Sequence, residues 1–386
     1  MINLILDYYT KVLFSNILKV AFLLPVRKKR LMFISFNGKQ YSCNPKYISE
    51  YIEHSENFKG CKIVWAFQDP EKFRFLAERG IEVIKHRSLR YLYYRLTSGV
   101  YVTNMGEMPT LPTRPSQLYI NTWHGGGGYK LCGFRNAVKH HDIYYAKKMA
   151  NSFSRATHFI STSAIGTRDV IRESFLFKGN ILEIGQPRND VFWIDGTEFK
   201  KRVFDYYKLP IDTKICLYAP TYREIGKLYD AHLDFVALKE HLHKRFGGNW
   251  VVLYRSHQFL DNLEIKNNVI SATAYPDMQE LLVAADFLIS DYSSSIWDYS
   301  FTYKPSLLFT PDLKAYQGDR DFYTPIKTWG FPIACNNAEV VSIIDNFDLD
   351  IHRKNMEKHH MIYGSFEDGH ATEKVCKLIH THIYRD

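Results

Sequence analysis

The stretch 290–299, SDYSSSIWDY, follows an apolar run (Ala285, Phe287, Leu288, Ile289) and so reads as a strand that ends abruptly in an acid and clustered hydroxyls. If Ser293, Ser294 and Ser295 open the next helix, their hydroxyls and the first-turn N–H groups converge where the helix dipole is positive, an arrangement that cradles phosphate. The same residue types also serve as ordinary caps, Asp291 and Ser293 among them. Four further segments share the pattern. Residues 118–130, LYINTWHGGGGYK, place His124 and four glycines after a strand, and 181–190, ILEIGQPRND, close another strand with a turn. Residues 215–224, ICLYAPTYRE, carry Thr221 and Arg223, and 250–257, WVVLYRSH, end in Arg255 and His257. Ligands of open parallel sheets bind outside the carboxyl ends of the strands, so polar clusters at several such ends imply one cleft.

Taken together, Thr122-Trp-His-Gly125, Gly185-Gln-Pro-Arg-Asn-Asp190, Ala219-Pro-Thr-Tyr-Arg223, Arg255-Ser-His257 and Ser290-Asp-Tyr-Ser-Ser294 resemble the signature segments of the CDP-glycerol glycerophosphotransferase family, the enzymes of wall teichoic acid and related capsule synthesis. The similarity extends to FNGKQYSCNPK at 36–46, to Lys304-Pro305 and to Asp321-Phe-Tyr323, and spans roughly residues 30 to 325 in the expected order. One departure stands out. After Trp-His-Gly the family usually continues Thr-Pro-Leu-Lys, whereas here Gly126, Gly127, Gly128 and Tyr129 precede Lys130.

The resemblance implies phosphoryl-group transfer: a hydroxyl attacks the β-phosphorus of CDP-glycerol and CMP leaves. Such a reaction needs a base for the hydroxyl proton and groups that hold charge on the phosphates. His124 suits the base, since histidine accepts a proton near neutral pH, and Gly125 to Gly128 let a substrate approach the backbone closely. His257 is assigned to the donor's β-phosphate. Ser293 and Ser294 hold the pyrophosphate, Asp291 orients their loop, and Arg255, Thr221, Arg223 and Arg320 complete the donor side. Trp123, Gly125, Lys130 and Arg188 fall on the acceptor side. No Asp-x-Asp pair stands at a strand end, so no metal ligand is assigned, although pyrophosphate chemistry often recruits Mg²⁺. CDP-ribitol is an alternative donor, and the acceptor is a lipid-linked saccharide or a growing poly(glycerol phosphate) chain. A glycosyltransferase using a nucleotide sugar and a non-catalytic envelope-polymer binding protein are the rival readings.

Composition is compatible with these partners. The 386 residues are 46% apolar and 15% aromatic, enough for two cores of ordinary size. A net charge of +9 suits nucleotides, phosphorylated substrates or an anionic membrane surface. Nucleic acid is not implied, because the basic residues are spread along the chain and no recognised nucleic-acid motif is present. The six cysteines lie far apart, which fits reduced cytosolic thiols rather than a disulfide frame or a zinc site.

These residues need a scaffold. Strand-like runs at 31–36, 62–67, 81–85, 100–104, 118–122, 158–161 and 181–184 are separated by helical stretches such as 47–56, 70–79 and 164–174. The pattern restarts at 214–218 and continues through 250–254, 269–271, 287–290 and 306–309, with helices from 338. Alternation of this kind predicts an α/β fold, here two Rossmann-like domains facing a central cleft in the GT-B manner. The expected division is a first domain at 30–190, on the acceptor side, and a second at 191–386, which binds the CDP donor. Ahead of them, Leu4, Ile5, Tyr8, Val12, Leu13, Ile17 and Val20 recur at helical spacing before Arg27-Lys-Lys-Arg30. Interrupting charges make this segment too short to span a bilayer. Residues 1–29 are therefore expected to form an amphipathic helix and basic cluster on the cytoplasmic leaflet, making the protein peripheral.

Overall fold

The computed structural model describes residues 10, 13–107, 111–221, 233–255 and 269–385. It contains two all-parallel sheets. In the first, β1 (Arg27–Ile34), β2 (Lys62–Phe67), β3 (Glu82–Lys85), β4 (Ser98–Thr103), β5 (Leu118–Asn121), β6 (His158–Ser161) and β7 (Asn180–Glu183) lie in the order β3-β2-β1-β4-β5-β6-β7. In the second, β8 (Thr213–Tyr218), β9 (Asn249–Tyr254), β10 (Val269–Ser271), β11 (Phe287–Ser290), β12 (Ser306–Phe309) and β13 (Ile333–Ala334) lie in the order β10-β9-β8-β11-β12-β13. Each sheet therefore runs outward from its first strand on one side and then reverses, the doubly wound order of a Rossmann fold. Parallel strands covered on both faces read as continuous apolar runs, and β4, β5, β11 and β12 are buried along their whole length. Trp65, Phe33 and Ile120 centre the first core, and Phe287, Ile289 and Leu307 the second.

The chain divides into two compact units. The first holds the described residues of Met1–His124, Cys132–Asp190 and Phe366–Asp386, and the second holds Gly125–Leu131 and Val191–Ser365. Two differences from the sequence expectation follow. Helix Ala371–Tyr384 belongs with the first sheet rather than with 191–365, and Val375, Cys376, Ile379 and Ile383 enter that core. Asp190 explains the return: its carboxylate accepts from the N–H groups of Ala371 (3.1 Å) and Thr372 (2.7 Å), capping the helix that ends the chain. Second, Gly125 and Lys130 lie in a segment that packs with the second unit, not the first.

Part of the N-terminal reading, residues 1–9, 11 and 12, lies outside the described residues. What is described is helical to Leu18, then a 3₁₀ turn at Lys19–Leu23, with Leu13, Phe14, Ile17, Val20 and Leu23 exposed by 46–87%. Arg114 fastens the end of this segment, donating to the carbonyls of Leu24 (2.6 Å) and Ala21. The basic cluster, expected beside the helix near anionic head groups, opens β1. Lys28 Nζ donates to the Arg385 carbonyl (2.6 Å), Lys29 sits over the Tyr384 ring, and Arg30 donates to Thr97 Oγ1 (2.8 Å). No helix among the described residues is long and apolar enough to cross a membrane. Two smaller differences are the wide π-helix at Gly166–Ser174 and the two-residue β13, too short to register as a periodic run.

The second unit carries two buried histidines, His352 and His359, and a half-buried one, His360, on helix Leu349–Tyr363. His352 Nε2 donates to the Lys304 carbonyl (3.1 Å), His359 Nε2 is 2.6 Å from the Tyr129 hydroxyl, and His360 Nε2 is 2.7 Å from Ser300 Oγ. Burial pulls their pKa values down to about 4, about 3 and about 4. An unfolded histidine protonates near pH 6.5. Below that pH the unfolded state binds more protons than the folded one, so stability falls as pH drops from about 7 towards 4. At pH 5 each group contributes at most on the order of 2 kcal/mol to that loss. The urea midpoint should therefore be lower at pH 5 than at pH 7, and His352→Gln should flatten the slope. Equal slopes in the variant and the wild type would show that this histidine is not held neutral by the fold.

Candidate functional site

In the first unit the polar residues gather beyond β5. Trp123 adopts a left-handed backbone (φ 52°) stabilised by its N–H donating to Asn121 Oδ1 (2.9 Å), and its ring packs edge-on against Phe153 and Phe175. This turn delivers His124, half-buried, whose Nδ1 lies 2.9 Å from the Asn104 carbonyl at the end of β4. A carbonyl can only accept, so Nδ1 carries the proton and Nε2 is the basic nitrogen of neutral His124. The His124 carbonyl accepts from Arg188 Nη1 (3.0 Å), which also reaches Cys43 Sγ (3.1 Å). Asn44, fully buried, clamps the group: Nδ2 donates to the Trp123 carbonyl (3.2 Å) and to Gln186 Oε1, and Oδ1 accepts from Arg188 N (3.1 Å). Trp123, His124 and Arg188 are thus brought together, with Arg188 bracing the backbone that carries the histidine.

Several members of this group were not singled out from the sequence. Asn44 and Gln186 stood inside the quoted segments without a role, and Asn104 ends a strand run. Glu367 gave no local signal. Its carboxylate accepts from Gln186 N (2.9 Å) and Asn189 Nδ2 (3.1 Å), across some 180 residues of sequence. Gly185 (φ 83°) permits this, since a Cβ there would lie 2.6 Å from Glu367 Oε2.

In the second unit Asp291, buried beyond β11, organises the loop. Its Oδ1 accepts from Thr221 N (2.8 Å), Thr221 Oγ1 (2.7 Å) and Ser293 N (3.2 Å), joining the segments after β8 and β11. Ser293 Oγ in turn accepts from Ser295 N (3.3 Å) and Ser295 Oγ (3.0 Å). The phosphate cradle expected at 293–295 is therefore partly filled by its own loop: two of its N–H groups already have acceptors, and the helix that follows, Ser295–Ser300, is short. Ser294 is its N-cap and makes no side-chain capping bond.

Arg255 follows β9 and also faces inward to backbone. Its Nη1 donates to the carbonyls of Ala272 (3.2 Å) and Tyr275 (2.9 Å), and burial lowers its pKa. Arg223 and His257 lie outside the described residues. Arg320 is exposed at the end of helix Leu313–Asp319. Beside it, Lys130 and Phe322 form an antiparallel bridge, flanked by Leu131 N donating to the Asp321 carbonyl (3.1 Å) and Tyr323 N to the Tyr129 carbonyl (2.9 Å). Residues 129–131 and 321–323, both in the second unit, therefore meet. Among the described residues no group of three or more His, Cys, Asp or Glu is placed to hold a metal ion.

Over residues 16–381 the chain matches the family of CDP-Glycerol:Poly(glycerophosphate) glycerophosphotransferases. The chain belongs to this glycerophosphotransferase family. It is 32% identical to the teichoic acid poly(glycerol phosphate) polymerase of Bacillus subtilis over 95% of the chain and 50% of that protein. It is 28% identical to the polymerase of the same name from Bacillus spizizenii, over 95% of both. The chain spans about half the length of the first curated relatives it matches. Among solved structures, the wall teichoic acid polymerase TagF superposes with a TM-score of 0.81 at 26% identity, over 99% of this chain and 98% of that one. A His-to-Asn variant of TagF has been solved after a soak with CDPG. The glycerophosphotransferase fold here is thus α/β and GT-B-like.

The bracing role of Asp291 in this family member is measurable. Asp291→Ala leaves the N–H groups of Thr221 and Ser293 without their acceptor and should cost about 1–3 kcal/mol in denaturant unfolding. Asp291→Asn keeps one amide oxygen in place and should cost less. Equal losses would mean that the negative charge, rather than the acceptor, holds the loop.

Proposed function

We propose that this chain transfers glycerol phosphate from CDP-glycerol to a hydroxyl of a lipid-linked saccharide or a growing poly(glycerol phosphate) chain, releasing CMP, in the synthesis of teichoic acid or a related envelope polymer. The acceptor oxygen bonds to the β-phosphorus, the bond from that phosphorus to the bridging oxygen breaks, and the electron pair leaves with CMP. His124 Nε2 takes the acceptor proton. Two observations carry this reading: membership of the glycerophosphotransferase family along almost the whole chain, and the Nδ1 contact to the Asn104 carbonyl that leaves Nε2 basic.

On this reading Trp123 and Arg188 act on the acceptor side by holding the His124 backbone, and Gly125 and Lys130 flank the incoming phosphate. His257 contacts the donor's β-phosphate. Ser293, Ser294 and Arg223 bind the pyrophosphate, Asp291 and Thr221 shape their loop, Arg255 fixes the segment leading to His257, and Arg320 adds positive charge. CDP-ribitol would fill the donor's place with two more hydroxylated carbons. The family's own description and the polymerases of 28–32% identity support glycerol.

The enzyme acts peripherally at the cytoplasmic face of the membrane. In support, Leu13, Phe14, Ile17, Val20 and Leu23 expose an apolar face that a lipid interface would cover. Deletion of residues 2–26 should release much of the protein from anionic vesicles in a flotation assay, while activity on a soluble acceptor analogue persists. Equal flotation of both forms would assign membrane contact to another surface.

The central test is incubation with CDP-glycerol, CDP-ribitol and lipid-linked acceptors, read by mass spectrometry. CMP and an acceptor lengthened by glycerol phosphate are expected. His124→Ala should lower turnover by about 10² to 10⁴ while donor binding is retained. Binding without CMP release would favour a polymer-binding protein, and release of a nucleoside diphosphate from a nucleotide sugar would favour a glycosyltransferase.

A further inference from the structure

The glycine run after His124 departs from the family's usual sequence, and the second unit contains its physical complement. A Cβ at Gly126 would lie 2.2 Å from Trp297 Cδ1, and one at Gly127 (φ 70°) would lie 2.9 Å from Trp297 Cε3. The loop backbone therefore rests directly on a fully buried indole, a contact that residues with side chains cannot make. Tyr129 follows and is 2% exposed. Its ring stacks on Trp329 (centroids 4.1 Å apart) and its hydroxyl lies 2.6 Å from His359 Nε2.

A phenylalanine would fill the same apolar nest. A hydroxyl buried there is tolerated because it is hydrogen-bonded, and the bond fixes where the ring can sit. Tyr129 and Leu131 are both buried, and the bridge to 321–323 keeps this segment extended. Side chains alternate along an extended segment. Burying both neighbours therefore turns Lys130 to the opposite side, where it is half-buried.

We propose that Tyr129 and His359 form a positioning pair that seats the glycine loop and presents Lys130 to a substrate phosphate. The proposal rests on the phosphotransfer reading above. Four consecutive glycines have little rigidity of their own, so the loop is ordered from its far end by a directional bond. Lys130 touches the phosphate; Tyr129 and His359 act through it.

Tyr129→Phe keeps the ring and removes the bond. It should lower the thermal midpoint by only a few degrees, because His359 Nε2 loses its buried partner, raise amide exchange at 125–130, and lower kcat/KM by about tenfold, the effect of losing one hydrogen bond. Lys130→Ala should lose at least as much. The double variant should be no worse than Lys130→Ala alone, because the tyrosine has nothing left to position. His359→Gln, which can still meet the hydroxyl, should recover part of what His359→Ala loses. Losses that multiply in the double variant, or a Tyr129→Phe enzyme with wild-type kinetics and exchange, would overturn the proposal. If the wild type releases no CMP from CDP-glycerol, the phosphotransfer reading fails. The exchange measurement then still decides whether the pair seats the loop.

Discussion

Both sheets are parallel and covered on both faces, and this constraint decides where polar chemistry can be. A side chain within β4, β5, β11 or β12 faces a core whichever way it points, and an unpaired polar group there would be strongly disfavoured. Tyr101 and Tyr119, stacked under Arg95, are exceptions inside β4 and β5; the polar clusters singled out from the sequence lie at the strand ends, where the chain turns. There they meet carbonyls and N–H groups that have just left the sheet. Asn104 and Asn121 end their runs in this way, and Asn44 reaches the same loops from the helix at Cys43–His54.

This is why so much was legible. Strand runs such as 62–67 or 287–290 are apolar because they are covered, and a polar cluster after them marks an end. What was not legible depends on partners remote in sequence. Nothing near Glu367 announces that it closes a loop at 185–189, and nothing near Asp190 announces that it caps the chain's last helix. The domain boundary placed 366–386 with the wrong unit for that reason: helical periodicity identifies a buried face but not the sheet that buries it. The Gly126 and Trp297 contact is likewise invisible until the two are seen together, although four glycines in a row already implied a close approach.

Several residues chosen for charge turn out to be engaged with backbone. Arg188 holds the His124 carbonyl, Arg255 holds two carbonyls at 272–275, and Asp291 receives N–H groups from two loops. Such bonds are directional and, to a charged group, worth more than a neutral pair. Loops held this way are ordered by the fold itself, so less order would have to be imposed by a ligand that binds them. Sequence motifs of this kind therefore mix residues that would touch substrate with residues that hold the loops.

Histidine illustrates the distinction. His352 and His359 are buried and His360 half-buried on one helix, and desolvation pulls their pKa values well below the usual histidine value. They serve as shaped hydrogen-bonding rings, to Lys304, Tyr129 and Ser300. His124 is half-buried and beyond a strand, with one nitrogen committed to a carbonyl. The same carbonyl contact that fixes its ring also fixes which nitrogen is basic. Which nitrogen of His124 is able to accept a proton is thus set by a single backbone acceptor, the Asn104 carbonyl just beyond β4.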